Sequence, residues 1–266
     1  MRRSLSQYLT VTGTYWGFTL SDGALRILVL FHFFTLGYSP FTLALLFLMY
    51  EAAGIIANLG GGWLATRFGI PRLLLLGISM QVLGLMLLSC LDPTFGPFLS
   101  VVWVVVAQGI SGLAKDITKT ASKSAIKVVK IDEDEGLFRW VAWFTGSKNA
   151  MKGVGFFLGG VMLTTIGFRG GLWLMAGLLG LLAVLVVFTL PSKLGAGVSS
   201  RTIKELFSKS PAVNTIALAR IFLFGARDTW FVVALPVFLY ANGWSFWEVG
   251  GFLALWTMLY GLVQGM

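Results

Sequence analysis

PSKLGAGVSSRTIKELFSKSP, residues 191–211, is the stretch on which the reading of this fold turns. It is the one extended polar segment in a sequence of 266 residues that is 57% hydrophobic and 12% charged. Its RTIKELFSK portion is amphipathic, suited to lying on a membrane surface. On either side the chain consists of apolar runs of about 20 residues, the length that crosses a bilayer as a helix. Six such runs precede it, at approximately 12–36, 41–65, 72–91, 98–121, 137–165 and 169–190. Two follow, at approximately 212–240 and 245–266, and the fifth and seventh are long enough to be tilted or broken. The spacing therefore predicts an all-α membrane protein in three parts: a six-helix bundle over 1–190, a cytoplasmic linker over 191–211, and the first two helices of a second bundle over 212–266. The sequence stops at YGLVQGM, inside an apolar run, so the chain is expected to be incomplete.

Composition narrows the function. A mean hydropathy of +0.85 lies far outside the range of soluble domains. The formal net charge of +9 does not point to nucleic acid, because that partner needs a basic surface on a soluble module. One cysteine, Cys90, and one histidine, His32, cannot build a disulfide framework or a cluster of soft metal ligands, and no cofactor or metal site is read. A membrane-embedded enzyme would need a nucleophile and base, or paired carboxylates at useful spacing, which the sequence does not offer. A receptor or scaffold without transport leaves the intramembrane charge without a purpose. The N-terminal MRR precedes no small-residue cleavage site, so the first span reads as uncleaved. Arg2, Arg3, Arg67, Arg72, Lys123 to Lys130 and the 191–211 linker fall on one side, whereas the opposite loops carry Asp92 and Arg169. The positive-inside rule places the N-terminus in the cytoplasm.

An internal repeat starts after the linker. Phe18, Asp22, Gly37 and Ser39 recur, without gaps, as Phe224, Asp228, Gly243 and Ser245, and the aromatic pair Tyr38 and Trp244 keeps the same spacing. Three short motifs are also present. GGWLATRFGIPR, at 61–72, resembles the loop motif of the major facilitator superfamily at Gly62, Arg67, Gly69 and Arg72, with Thr66 in its acidic position. VVAQGISG resembles the fourth-span motif at Gln108 and Gly109, with Val105 in its arginine position. GFFLGG resembles the antiporter motif at Gly155, Gly159 and Gly160, which close helix packing would also explain. A six-span unit that restarts after a cytoplasmic linker is the parallel repeat of that superfamily, which implies about twelve spans for a complete molecule, of which about eight are present.

Within the superfamily, YWGFTLSDGALR, GYSPFTLALLFLMYE, AQGISGLAKD, ASKSAIK and TGSKNAMKGVGFFLGG resemble the organoarsenical efflux permeases, the ArsJ type, over most of the first 170 residues. That resemblance implies export of 1-arseno-3-phosphoglycerate across the inner membrane by alternating access, giving arsenate resistance. It also implies a functional link to glyceraldehyde-3-phosphate dehydrogenase, which forms the ester from arsenate. Another phosphorylated or carboxylated organic anion is the alternative.

The chemistry of the spans accords with an anion. An ionisable side chain at a helix centre costs at least about 2.5 kcal/mol on insertion scales, so each needs a partner or a role. Seven cations, Arg26, Lys115, Lys119, Lys148, Lys152, Arg220 and Arg227, stand against Asp22, Glu51, Asp116 and Asp228. The cations are the candidate substrate ligands; the four acids are candidates for proton coupling or charge pairing. Asp22 and Arg26, one turn apart, could also neutralise each other within their helix. Lys148 and Lys152, also one turn apart, repel, and an external anion or carboxylates such as Glu51 or Asp22 would relieve them. Asn58, Gln81 and Gln108 are expected to make interhelical hydrogen bonds. Lys115, Lys119, Lys123 and Lys127 share a face of the fourth span: the first two are expected at the inner mouth of an anion path, and Lys123, Lys127 and Lys130 among headgroups. Lone Cys90 cannot form a thiolate site for trivalent arsenic, which accords better with a pentavalent ester.

Overall fold

The structure, a computed structural model, describes residues 2–92, 94–128, 135–192, 194–195 and 210–265. The described residues are helical almost throughout: α1 (Arg2–Thr35), α2 (Pro40–Phe68), α3 (Ile70–Ser89), α4 (Pro97–Val128), α5 (Glu135–Thr165), α6 (Gly167–Thr189), α7 (Pro211–Asp228), α8 (Leu235–Ala241) and α9 (Phe246–Gly265). A π-helical stretch, Thr229–Ala234, joins α7 to α8. Each predicted span falls on a helix. The seventh is interrupted, as its length allowed: Pro236 lacks the N–H that would bond one turn back, and its ring crowds the carbonyl there, so the preceding turn widens.

Six of the described helices are long and apolar enough to cross a bilayer, namely α1, α2, α3, α4, α6 and α9. The fifth and seventh predicted spans are not among them. In α5 the reason is local, since Ser147, Lys148, Asn149 and Lys152 occupy its middle. Such a helix belongs inside a bundle, and α5 packs between α1 and α9. Conversely α6 turns Trp173, Leu174, Leu178, Leu181 and Phe188 outward, as a lipid-facing helix does.

At the centre is α1, packed by α4, α5 and α6, with Leu25, Ile27, Leu28, Leu30 and Phe31 essentially inaccessible. The closest approach is to α5. A Cβ on Gly23 would stand 2.6 Å from the Lys152 carbonyl oxygen, and one on Gly159 would stand 2.5 Å from that of Ala24. Gly155 faces the Leu20 backbone in the same way, while Gly160 abuts Phe246 at the start of α9. At the linker end the Ile70 amide donates to the Leu194 carbonyl at 2.9 Å, tying the α2–α3 turn to the first residues after α6. The amphipathic RTIKELFSK segment lies outside the described residues.

The repeat is visible in backbone geometry. Gly37 and Gly243 take left-handed φ values of 87° and 91°, the conformation glycine adopts without steric cost. Each amide after these glycines closes the same helix terminus: Tyr38 donates to the Phe33 carbonyl and Trp244 to that of Leu239, both at 3.2 Å. Ser39 and Ser245 then open α2 and α9, and their hydroxyls accept from the Thr42 and Glu248 amides. Phe34 and its counterpart Tyr240 meet edge to face, 5.6 Å between ring centres, so the two turns lie side by side.

Candidate functional site

Asp22 and Arg26 occupy the middle of α1, where a surrounded helix leaves them 4% and 2% exposed. Sequence spacing alone offered a pair within the helix, but an ion pair closes between helices: the Arg26 guanidinium donates to Glu51 Oε1 on α2 at 2.5 Å. Lys115 on α4 donates to the other oxygen, Oε2, at 3.2 Å. Lys115 also lies 3.6 Å from Asp116, whose second oxygen accepts from Lys119 at 2.6 Å. Glu51 thus bridges two cations and Asp116 bridges two, with Lys115 shared. Room for the Asp116 carboxylate comes from Gly54, whose missing side chain would occupy the same space.

Tyr50 organises this cluster. Fully buried, it lies between Arg26, 4.3 Å above its ring, and Lys115, 4.1 Å from it, while its hydroxyl donates to Asp22. A ring between two cations shields them from each other and offers each a negative face. Periodicity does not separate a lipid-facing from a cavity-facing Tyr50. That it adjoins Glu51 was the available signal. Another contact of this kind is Trp16, whose indole donates to Ser147 on α5 at 3.0 Å, with Tyr15 stacked on Phe144 beside it.

Across from the α1–α2–α4 cluster stand the lysines of α5. Lys148 is half-buried and within electrostatic reach of Lys115, Lys119 and Lys123, with Asp22 the carboxylate near it. It makes no ion pair among the described residues. Lys152 acts on Glu51 and places its ammonium 5.6 Å from the Phe156 ring. The Glu51, Lys115 and Lys119 side chains are 37%, 19% and 30% exposed, so the cluster faces open space rather than sealed core. Arg26, Lys115, Lys119, Lys148 and Lys152 are therefore brought together with Asp22, Glu51 and Asp116.

Other expected residues lie apart. Arg220, Arg227 and Asp228 are on α7, but their side chains fall outside the described residues, as do those of Asn58, Lys127 and Lys130. Of the loop motif, Gly62 is likewise outside; Gly69 begins α3 with φ +85°, and Arg67 and Arg72 are exposed at the linker end. Lys123 is exposed, one turn beyond Lys119. Gln81 and Gln108 do not form the expected interhelical bonds: both are fully buried, and their amide atoms have no hydrogen-bond partner among the described residues. Alongside them Gly84 and Gly77 on α3 meet Ser111 and Thr118 of α4, whose hydroxyls are likewise buried without a partner among the described residues. Among the described residues no group of three His, Cys, Asp or Glu could hold a metal ion, and Cys90 is exposed at the end of α3.

The family model described as Major Facilitator Superfamily matches residues 8–266. The chain belongs to that superfamily. A comparison with the curated proteins finds no match. Among solved structures, this facilitator is similar in fold to a bacterial homologue of the human drug peptide transporters PepT1 and PepT2, with TM-score 0.66 and 14% identity, over 98% of this chain and 70% of the other. A mutant of the peptide transporter POT in complex with sulfate gives 0.54 and 22%, over 93% and 48%. A POT family transporter in complex with 5-aminolevulinic acid gives 0.53 and 19%, over 88% and 52%. This chain thus spans about half the length of the latter two. These likenesses show the fold alone; the family and the six apolar helices make this a multi-pass membrane protein, and the charge cluster of this facilitator sits on its first, second, fourth and fifth helices.

Proposed function

We propose that this facilitator carries an organic anion, and that the anion is the arsenate ester 1-arseno-3-phosphoglycerate, exported across the inner membrane. The observation that carries the anion is Lys148. A half-buried ammonium facing three further lysine charges, without an ion pair among the described residues, is stabilised by a bound oxyanion. Five cations share the site with three carboxylates, so a dianion brings it to neutrality. Arg26 offers a planar fork to phosphate or carboxylate, while Lys115, Lys119, Lys148 and Lys152 act as point charges. Arg220 and Arg227 are proposed as ligands from the second repeat.

The anion competes with Glu51 for Arg26 and Lys115, so binding loosens the tie that holds α1, α2 and α4 together. Loosening that tie on one side only is what alternating access requires of two bundles, here 1–190 and the one beginning at 212, rocking about a midplane site. With the N-terminus cytoplasmic, Lys115, Lys119 and Lys123 lead inward from the site, and Arg67 and Arg72 of the loop motif lie at the same mouth as a gate. Asp22, Glu51, Asp116 and Asp228 are the acids available to carry a proton. Outward movement of an anion is also favoured by an inside-negative potential, by about 2.3 kcal/mol per charge per 100 mV.

The ester in particular is supported by the ArsJ-type blocks in the first 170 residues and by the lack of a thiolate site. Glyceraldehyde-3-phosphate dehydrogenase would supply it. A phosphorylated or carboxylated metabolite satisfies the same cations, and structural neighbours that hold sulfate or 5-aminolevulinic acid favour keeping this second reading. Inside-out vesicles containing the protein, with the ester generated outside by that dehydrogenase from arsenate and glyceraldehyde 3-phosphate, with NAD+ taking up the hydride, test both. Arsenic uptake that Lys148→Ala abolishes supports the ester. Uptake of 3-phosphoglycerate but not of arsenic supports the second reading, and no uptake of either refutes the anion site.

A further inference from the structure

Far from the charge cluster, at the end of the first six helices remote from the linker, lies a cavity of about 530 Å3. Its size is that of a small-molecule site. The ends of α1, α3, α4 and α6 and the turns between them build it, and its wall includes His32, Tyr38, Asp92, Phe95, Phe168 and Arg169. His32 is fixed flat against Phe168, 3.9 Å between ring centres. Asp92 turns one oxygen, Oδ1, to the Thr94 amide and hydroxyl at 2.8 and 2.7 Å, which leaves Oδ2 for another donor. Arg169 spends one guanidinium N–H on the Leu91 carbonyl at 2.8 Å and keeps the rest of its fork. One anion and one cation thus share the wall of an aromatic-lined cavity, the Arg169 charge within electrostatic reach of Asp92.

What adjoins the cavity bears on its occupant. Arg169, Trp173, Gly177 and Leu181 follow one another every fourth residue along α6 and so share a face. Trp173 and Leu181 on it are 55% and 68% exposed, and nothing stands within 4 Å of where a Cβ on Gly177 would be. Beside it on α3, which packs along α6, Leu83 and Met86 are exposed. An arginine at the helix end, a tryptophan one turn deeper and an apolar track below follow the depth profile of a bilayer leaflet. A soluble solute has no use for that track.

We propose that the cavity and its track hold one phospholipid with a primary-ammonium zwitterionic headgroup, of the phosphatidylethanolamine class. Its phosphate lies on Arg169, its ammonium on Asp92 against the Phe95 and Tyr38 rings, and one acyl chain along α6 over Gly177. A purely anionic headgroup meets Asp92 unfavourably, and a quaternary ammonium has no N–H to give it.

Native mass spectrometry of the purified protein tests this, after delipidation in detergent and addition of equimolar dioleoyl phosphatidylethanolamine, phosphatidylcholine and phosphatidylglycerol. Phosphatidylethanolamine is expected to be retained about tenfold over either competitor, the effect of one charge-assisted hydrogen bond. Asp92→Asn should remove its advantage over phosphatidylglycerol, and Arg169→Ala should lower retention of all three. Gly177→Leu, on the outer surface, should block the chain while leaving the headgroup residues and the unfolding midpoint intact. Should Arg169→Ala fold poorly for want of the Leu91 bond, Arg169→Gln keeps a donor and removes the charge. Equal retention of the three lipids by the wild type, or retention unaltered in both the Asp92 and Arg169 variants, overturns the proposal. So does displacement of the lipid by 3-phosphoglycerate, which would assign the cavity to the solute path.

Discussion

Glu51→Gln removes the carboxylate that joins α1, α2 and α4, and the structure sets the size of the effect. Arg26, 2% exposed, loses a partner at 2.5 Å, and Lys115, 19% exposed at its side chain, loses one at 3.2 Å. Breaking a well-buried pair costs about 3–5 kcal/mol, and an exposed one less than about 1 kcal/mol. Glu51 is itself 37% exposed, so water screens part of the interaction, and a loss of about 2 kcal/mol is expected. Reversible unfolding of the purified protein in mixed micelles measures it. Most of the cost comes from cations left without compensation rather than from the missing bonds. Adding Lys115→Met to Glu51→Gln should therefore recover only the smaller share that belongs to Lys115, since Arg26 still lacks Glu51, although Lys115→Met alone destabilises. An unchanged unfolding midpoint in Glu51→Gln, or a double variant whose cost is the sum of the single ones, would refute the bridging role.

Lys148→Ala should behave oppositely, lowering anion affinity by about tenfold or more while leaving stability equal or raised, since it removes a cation from among cations; binding and unfolding measured on one preparation check both. Tyr50→Phe keeps the ring between Arg26 and Lys115 and loses the Asp22 bond, whereas Tyr50→Leu loses both, so midpoints should fall in the order wild type, Phe, Leu. Gly159→Val presses a side chain onto the Ala24 backbone and should cost about 1–3 kcal/mol by overpacking, whereas Gly177→Val, which meets open space, should cost far less under the same unfolding assay. The Thr94 amide and hydroxyl hold the Asp92 carboxyl below its ordinary value of 3.8. Its contribution to stability is then complete above that value and is lost as pH falls through the lower folded one; a Thr94→Val titration, followed by the Asp92 carboxyl NMR signal, should bring the midpoint part of the way back up, since the amide bond remains.

Several features were legible without coordinates because their causes are local. A span is a run of apolar residues, and the helices lie where those runs lie. The turns at Gly37 and Gly243 need a residue free to take positive φ followed by a serine that can cap, so equal spacing in sequence became equal hydrogen bonding in space. The length of the seventh run allowed a break in its helix, though not that the break would be a π-helical turn before Pro236.

Partnership among charges was another matter. That Arg26, Glu51, Lys115 and Asp116 needed partners followed from their depth alone, since an unpaired charge in a bilayer is costly. Which partner each takes depends on which helices become neighbours and how each is rotated about its axis, and helical spacing is silent on both. Spacing offered Asp22 for Arg26; the packing of α1 and α2 on α4 brought Glu51 to it from another helix. Spacing placed Tyr50 beside Glu51 and left its direction open; packing put it between two cations. For Gln81 and Gln108 the chemistry called for hydrogen bonds, and packing instead leaves both buried with no partner among the described residues. Sequence by itself determined that charge sits inside this bundle, because hydropathy is a property of each residue. Only the tertiary structure decided which charges are neutralised and that Lys148 faces other lysines, because that is a property of pairs.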